Sequence, residues 1–413
     1  MKQNTTYKQT ELGLIPEDWE VKKLGELGKI INGLTYSPEN IKENGTLVLR
    51  SSNVQNDKIV YDDNVFVEEN ISFNPTKKDD VLICVRNGSR GLIGKTALID
   101  EQASNVAFGA FMAIYRSNSN NYIYNYFKSN YFFKEVHKNL GATINSINNN
   151  DLKKFKIPLP PLPEQKKIAD CLSTWDVAIE KQNALINALT DRKKALMQQL
   201  LTGKKRLPGF SGEWKEVKLG SLGKTYNGLT GKTKEDFGEG KPFITYMNIF
   251  SNPKINISNF EYVKMGVNEN QNKAIYGDIF FTVSSETPNE VGMASVLLDE
   301  INDLYLNSFC FGFRLNDFKN LLPEFSSYLF RNDLFRKDVY KLAQGSTRFN
   351  LSKLELMKIK IKLPSLSEQT AIAEILATAD RELTLQKEKL AQLQTQKKGL
   401  MQVLLTGKKR LIN

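Results

Sequence analysis

Few side chains in this sequence are placed for covalent or metal chemistry. GLIGKT (Gly91–Thr96) ends like a phosphate-cradling loop, in which glycine turns, a lysine and a hydroxyl surround a nucleotide. Such a loop needs a glycine five residues before Gly94, where Ser89 stands, and it should open a helix rather than a strand-like run. LTGKT (Leu229–Thr233) fails the same test, with Tyr226 in the required place. His137 is the only histidine, which excludes zinc chemistry that needs a histidine pair from this chain. Cys84, Cys171 and Cys310 are scattered with no CxxC pair. That argues against zinc and disulfides and suits a reducing cytoplasm. No [DN]PP[YF] motif and no carboxylate–lysine group with nuclease spacing occurs. The expectation is a chain with no catalytic residue, no metal ligand and no cofactor of its own.

What remains is hydrogen-bonding chemistry. Arg50, Asn53, Arg86, Asn87 and Arg90 stand in polar loops of the first half; Tyr246, Asn248, Ser284, Ser285 and Arg348 do so in the second. An arginine fork matches the guanine edge and an asparagine amide matches adenine, so such loops are candidate base readers. Each residue also fits an ordinary solvated loop. The net charge of +11, from 57 Lys+Arg against 46 Asp+Glu, favours a polyanionic partner such as double-stranded DNA.

These residues sit inside an internal duplication. With 413 residues the chain exceeds one ordinary core. LLTGKKRL occurs at Leu200–Leu207 and again at Leu404–Leu411, an offset of 204. The same offset aligns Glu164-Gln165 with Glu368-Gln369, Asp176 with Asp380, and the segment 141–157 with 345–361. WEVKKLGELGKIINGLT from Trp19 matches WKEVKLGSLGKTYNGLT from Trp214 at an offset of 195. A tandem duplication with diverged middles explains both offsets.

After each Glu-Gln pair the apolar spacing alternates four and three, as in a heptad seam. The first seam runs Ile168, Leu172, Trp175, Ile179, Gln182, Ile186, Leu189, Lys193, Leu196, Leu200. The second runs Ile372, Leu376, Ala379, Leu383, Gln386, Leu390, Leu393, Lys397, Leu400, Leu404. Pro163 suits a helix start, Ser365 with Glu368 suits a capping box, and Gly203 and Gly407 suit left-handed stops followed by basic residues. Glu164–Leu201 as a helix is about 57 Å long. Two seams in one chain most simply pack on each other, antiparallel, with Gln182 and Gln386 brought together at the midpoint. A dimerisation coiled coil between chains is the competing reading.

The remaining stretches mix strands and helices. Asp79–Asp100 and Gly277–Asp299 each read as strand, polar loop, glycine turn, strand. The aromatic-rich stretches from Asn121 and Leu322 read as amphipathic helices whose aromatics fit a core. The expected fold is α+β: two globular domains separated by two long antiparallel coiled-coil helices, with an internal pseudo-twofold repeat. The boundaries are 1–158 and 208–362 for the globular domains, 159–207 for the central helix and 363–413 for the C-terminal helix. The longest apolar run, Ala107–Tyr115, is too short to span a bilayer, and the polar N-terminus lacks a signal peptide's apolar stretch. A cytoplasmic protein with no membrane association is expected.

The whole chain resembles the DNA specificity subunits of type I restriction–modification systems. The resemblance rests on LGLIPEDWEVKKLGEL, IPLPPLPEQKKIADCLSTWD, LLTGKKRLPGFSGEWKEVKLG and the closing LLTGKKRL. It implies two target-recognition domains, each reading one half of a split DNA target, with the helices as spacer. It further implies two methyltransferase subunits carrying S-adenosylmethionine, and restriction subunits, as partners. Because the two domains differ, the bipartite target should be asymmetric. Helices of about 57 Å would span at most about 17 base pairs. The alternative is a coiled-coil interaction scaffold without a DNA role.

Overall fold

Each half of the repeat folds around a four-stranded antiparallel sheet. The computed structural model describes residues 6–140 and 145–411, so the first five residues of the polar N-terminus and the first four of the repeated segment 141–157 lie outside the described residues. The first sheet holds β1 (Lys29–Asn32), β2 (Val81–Cys84), β3 (Thr96–Leu98) and β4 (Met112–Arg116), in the order β3-β2-β4-β1. The second holds β5 (Gly223–Asn227), β6 (Ile279–Thr282), β7 (Ala294–Val296) and β8 (Cys310–Leu315), in the matching order β7-β6-β8-β5. VLIC and IFFT, the sequences of β2 and β6, are apolar on both faces, and both strands are buried along their whole length.

A smaller sheet accompanies each, with a parallel pair in it: Thr46–Leu49 beside Ala107–Phe108, and Phe237–Ile244 beside Tyr305–Leu306. The motif NGLT at residues 32–35 and 227–230 lies against these pairs. A Cβ on Gly33 would overlap the Gly109 carbonyl, and one on Gly228 the Asn307 carbonyl, so only glycine fits.

The aromatic stretches form two short helices in each half: Asn120–Phe127 and Asn130–Asn139, then Pro323–Leu329 and Asp333–Lys341. Ser129 and Asn332 interrupt them because their side chains accept the N–H groups of Phe132 and Phe335, starting a new helix in each case. Tyr122, Tyr126, Phe127 and Phe132 are buried in one core, and Phe325, Tyr328, Phe330 and Phe335 in the other, the role their periodicity suggested.

The long helices are α1 (Leu162–Leu200) and α2 (Leu366–Leu404), each of 39 residues. Every seam residue named above is buried or half-buried. Gly203 and Gly407 both take φ +69°, and past them Lys205 and Lys409 donate their N–H back to Gln199 and Val403. Gln165 and Gln369 are buried at the helix starts, where their amides donate to the Pro160 and Pro364 carbonyls. The anticipated capping box is half made. Glu368 N–H donates to Ser365 Oγ, but the Glu368 carboxylate is used elsewhere, as described below.

The chain packs as two units, residues Met1–Asn183 with Lys389–Asn413 and residues Ala184–Glu388. In the first unit, Ile168 and Leu172 of α1 share a core with Leu404 of α2, and Asp176 pairs with Lys397. In the second, Leu200 of α1 shares a core with Ile372 and Leu376 of α2, and Lys193 pairs with Asp380. Within each unit the helices therefore run antiparallel. The packing units divide both long helices, whereas the boundaries read from the sequence follow strand-to-helix junctions.

One node in each unit gathers three repeated motifs. The Glu164 carboxylate, 2% exposed, accepts Trp19 Nε1 at 3.0 Å and a paired contact from Arg410 at 2.7 and 2.8 Å. Glu368 accepts Trp214 Nε1 at 3.3 Å and Arg206 twice at 2.7 Å. The arginine of LTGKKRL therefore binds the first turn of the other long helix, not its own carbonyls.

Candidate nucleic-acid interface

The polar loop after β2 connects that interior strand to the edge strand β3. Val85 and Arg86 both donate their backbone N–H to the Phe111 carbonyl, at 3.0 and 3.1 Å, which anchors the loop base. Arg86 is exposed, with its guanidinium 5.2 Å from the centre of the Phe111 ring. Asn87 is half-buried; its amide donates to Ser51 Oγ at 3.0 Å and its oxygen accepts Ser89 N–H at 2.9 Å. Arg90 is exposed at the loop tip. The following GKT runs into β3, so the loop has no helix N-terminus to offer a triphosphate.

Below this loop opens a cleft of about 720 Å³, lined by Asn32, Arg86, Asn149, Asn150, Lys153 and Lys154 among others. Asn32 is tied from two directions, its carbonyl by the Asn74 amide at 3.3 Å and its side chain by Asn149. Asn148 caps the short helix Asn149–Lys154 by accepting Asp151 N–H at 2.8 Å. Amide groups that both donate and accept, beside lysine and arginine cations, suit base edges and phosphates respectively.

In the second unit the same framework carries other side chains. Asn227 occupies the place of Asn32, tied by Asn272 at 3.1 Å and by Lys353 in place of Asn149. Burial pushes the Lys353 ammonium below its ordinary pKa. Ser284 and Ser285 form a short strand against Phe349–Leu351. Arg348 is exposed at the turn just before that strand.

Several candidates are placed otherwise than a base reader requires. Asn53 and Asn248 are fully buried. The Asn53 amide donates to the Val60 and Asp63 carbonyls while its oxygen accepts Arg50 N–H at 2.9 Å. Asn248 likewise donates to Asn256 and Asn259 and accepts Asn256 N–H, all at 2.9 Å. Both are loop-folding residues at equivalent positions, with no polar group left for a ligand. Ser284 and Ser285 are buried as well, and Ser285 Oγ donates to Glu290 at 3.2 Å. The Tyr246 hydroxyl is spent on the Ser284 carbonyl at 2.8 Å. Arg50 is partly committed to Asp63 at 2.8 Å. Arg86, Asn87, Arg90 and Arg348 keep polar atoms at or near the surface.

Two features escaped sequence reading. Asp80 and Asp278 are buried carboxylates gripped by Arg116 (2.6 and 2.8 Å) and Arg314 (2.7 and 2.8 Å) across adjacent strands. Their bonds hold both guanidinium groups charged, above the ordinary arginine value. Arg331 and Arg336 instead donate only to backbone carbonyls, and burial lowers Arg331 to about 10. Net charge therefore overstates the cations available to a polyanion. The second feature is a pair of exposed aromatics, Phe111 and Phe309, 56% and 60% exposed. The only available signal was an offset of 198 that lays GAFM over NSFC.

Among the described residues, no group of three or more His, Cys, Asp or Glu side chains is placed to hold a metal ion. No helix among them is long and apolar enough to cross a membrane.

Comparison with known proteins finds similarity along most of the chain. A family model described as the type I restriction modification DNA specificity domain matches residues 16–191 and 211–395. The chain is 25% identical over 384 residues to the EcoKI type I restriction enzyme specificity subunit of Escherichia coli K12, covering 87% of this chain and 82% of that one. It is 26% identical over 437 residues to the MjaVIII specificity subunit of Methanocaldococcus jannaschii, covering 97% and 95%. Among solved structures, the S subunit of a type I system from M. genitalium superposes with TM-score 0.55 at 18% identity, over 98% of this chain and 97% of that one. A chain from a structure of a type I restriction–modification system, described as addressing its assembly and conformational transition, gives TM-score 0.62 at 17% identity, over 96% and 99%.

Proposed function

The chain belongs to the type I restriction–modification DNA specificity family, with two matching segments, and on that premise we propose that it reads an asymmetric, split DNA target. Each globular domain reads one half-site, and the long helices set the gap between them. Two methyltransferase subunits carrying S-adenosylmethionine dock on the chain and modify adenine, and restriction subunits join that complex. This chain supplies recognition and no catalytic step.

One observation carries the reading. The two domains share a framework of repeated contacts but present different side chains on it. Asn53 and Asn248 fold equivalent loops, the Asp80–Arg116 and Asp278–Arg314 pairs lock equivalent strands, and Asn32 and Asn227 are tied alike. The same backbone bridge joins Arg86 to Ser146 in one domain and Ser284 to Asn350 in the other, so an exposed arginine stands where the second domain has a buried serine. Asn149 in the first is replaced by Lys353 in the second. A common frame with unlike reading groups is what two unlike half-sites require.

The test is to co-express the chain with its methyltransferase subunit and map methylated adenines across the host genome. A split motif with a fixed gap, absent when this chain is omitted, supports the reading. No methylation together with no complex between the two proteins would favour the helical-scaffold alternative, whereas a soluble but silent complex would point to a mispaired system.

A further inference from the structure

We propose that Phe111 and Phe309 are matched apolar wedges, each pressed against base pairs of the half-site that its own domain reads; this rests on the DNA-reading function above. They are the two most exposed phenylalanines among the described residues. A single exposed aromatic is ordinary on a protein surface. The same aromatic at the same backbone position of two diverged domains is not.

The equivalence is in the backbone. Phe111 precedes Met112, which pairs with Cys84 of β2; Phe309 precedes Cys310, which pairs with Thr282 of β6. The Phe111 carbonyl accepts Val85 N–H at 3.0 Å, and the Phe309 carbonyl accepts Val283 N–H at 3.1 Å. Each turn is closed behind the ring, by Met112 N–H on the Gly109 carbonyl (2.8 Å) and by Cys310 N–H on the Asn307 carbonyl (3.1 Å). Phe309 N–H is further fixed on Asn307 Oδ1 at 2.8 Å. Each ring is thus carried outward on a hydrogen-bonded turn at the start of a central strand, so the backbone beneath it needs no further ordering on binding.

The surroundings point to DNA. Ala110 and Met112, on either side of Phe111, line the cleft that also holds Asn149, Lys153 and Lys154, and Arg86 stacks on the ring. Arg86 lines that cleft and also contacts the ring, so lysines that meet phosphate and amides that meet base edges stand beside an apolar ring that can lean on a thymine methyl or enter a base step. In the second domain the position of Arg86 is Ser284, so Phe309 presents its ring without that guanidinium. The two wedges would therefore favour different bases.

The experiment uses the full complex with the methyltransferase subunits, comparing wild type, F111A, F309A and F111L by genome-wide adenine methylation. The wild-type complex must first yield a split motif; if it does not, the functional reading fails before the wedge is tested. F111A is expected to degrade discrimination within one half-site and weaken cognate binding roughly tenfold, leaving the other half intact. F309A should do the converse, and F111L should retain part of the effect through its remaining apolar bulk. An unchanged motif and binding constant in both alanine variants would overturn the proposal. So would loss of the methyltransferase subunits on purification, which would make the rings a protein-docking contact, or equal loss at both half-sites.

Discussion

Replacing Arg410 with methionine isolates the contact by which the chain's last turn grips the start of α1. Arg410 is 8% exposed in its side chain and Glu164 2%. The guanidinium also binds Asp18 at 2.7 and 2.9 Å. In R410M the Glu164 carboxylate keeps only Trp19 Nε1 and the Leu411 N–H. Removing one partner of a buried pair leaves an uncompensated charge and costs about 3 kcal/mol. In a unit of about 200 residues that lowers the melting midpoint by roughly 6–12 °C. Methionine approximates the arginine stem, so packing over Trp19 is largely kept. R410M/E164Q removes both charges of the pair while leaving an amide oxygen for the buried Trp19 Nε1, and should recover most of the loss because neither charge then needs desolvation. Removing the residues after Lys409 should cost more than R410M, because it also takes away the Leu411 N–H and the packing of its side chain. Arg410 also holds the Asp18 carboxyl below its ordinary value of 3.8, through hydrogen bonds first and charge second. That contribution is present above about pH 4 and is lost as pH falls through the lowered value, so R410M should flatten the acid end of the stability profile. Calorimetric melting across pH is the assay. An unshifted midpoint for R410M would refute the buried-clasp reasoning, and failure of R410M/E164Q to recover would assign the effect to packing instead.

Lengthening both long helices by one heptad adds about 10.5 Å, or roughly 3 base pairs, to the gap in the methylated motif; an unchanged gap in the methylation map would end the spacer idea. N248A leaves the Asn256 and Asn259 carbonyls without their donor and should cost about 2 kcal/mol in denaturant melts, with N53A alike; a neutral result would mean that these amides turn outward and remain available to a base. G33A forces a methyl onto the Gly109 carbonyl and should cost about 1–3 kcal/mol by the same assay, whereas G88A, with open space around it, should not disturb folding measurably.

The duplication, the two long helices and their stops were legible because they are patterns local in sequence. A heptad spacing needs only a helix to become a stripe, and Gly203 and Gly407 need only a left-handed residue to end it. The strand–loop–strand runs around β2 and β6 were legible for the same reason: unbroken apolar runs bounded by polar turns. The candidate interface was legible only in part. Arg86, Asn87, Arg90 and Arg348 lie at or near the surface, while Asn53, Asn248, Ser284 and Ser285 are buried. Residue type in a polar loop does not reveal which way a side chain turns; that depends on carbonyls such as Val60, Asp63, Asn256 and Asn259, brought within reach by the fold.

By itself the sequence determined that this chain is a diverged tandem repeat with two seamed helices, because periodicity and self-similarity are properties of order along the chain. Only the tertiary structure decided what the repeated letters do. Arg410 and Glu164 stand 246 residues apart, and Arg206 and Glu368 stand 162 apart. Their identical spelling in each half marks two ends of one contact, made when antiparallel packing returns the end of each long helix to the beginning of the other. The exposure of Phe111 and Phe309 was decided in the same way, since a ring is left outside only once sheet and turn have closed behind it.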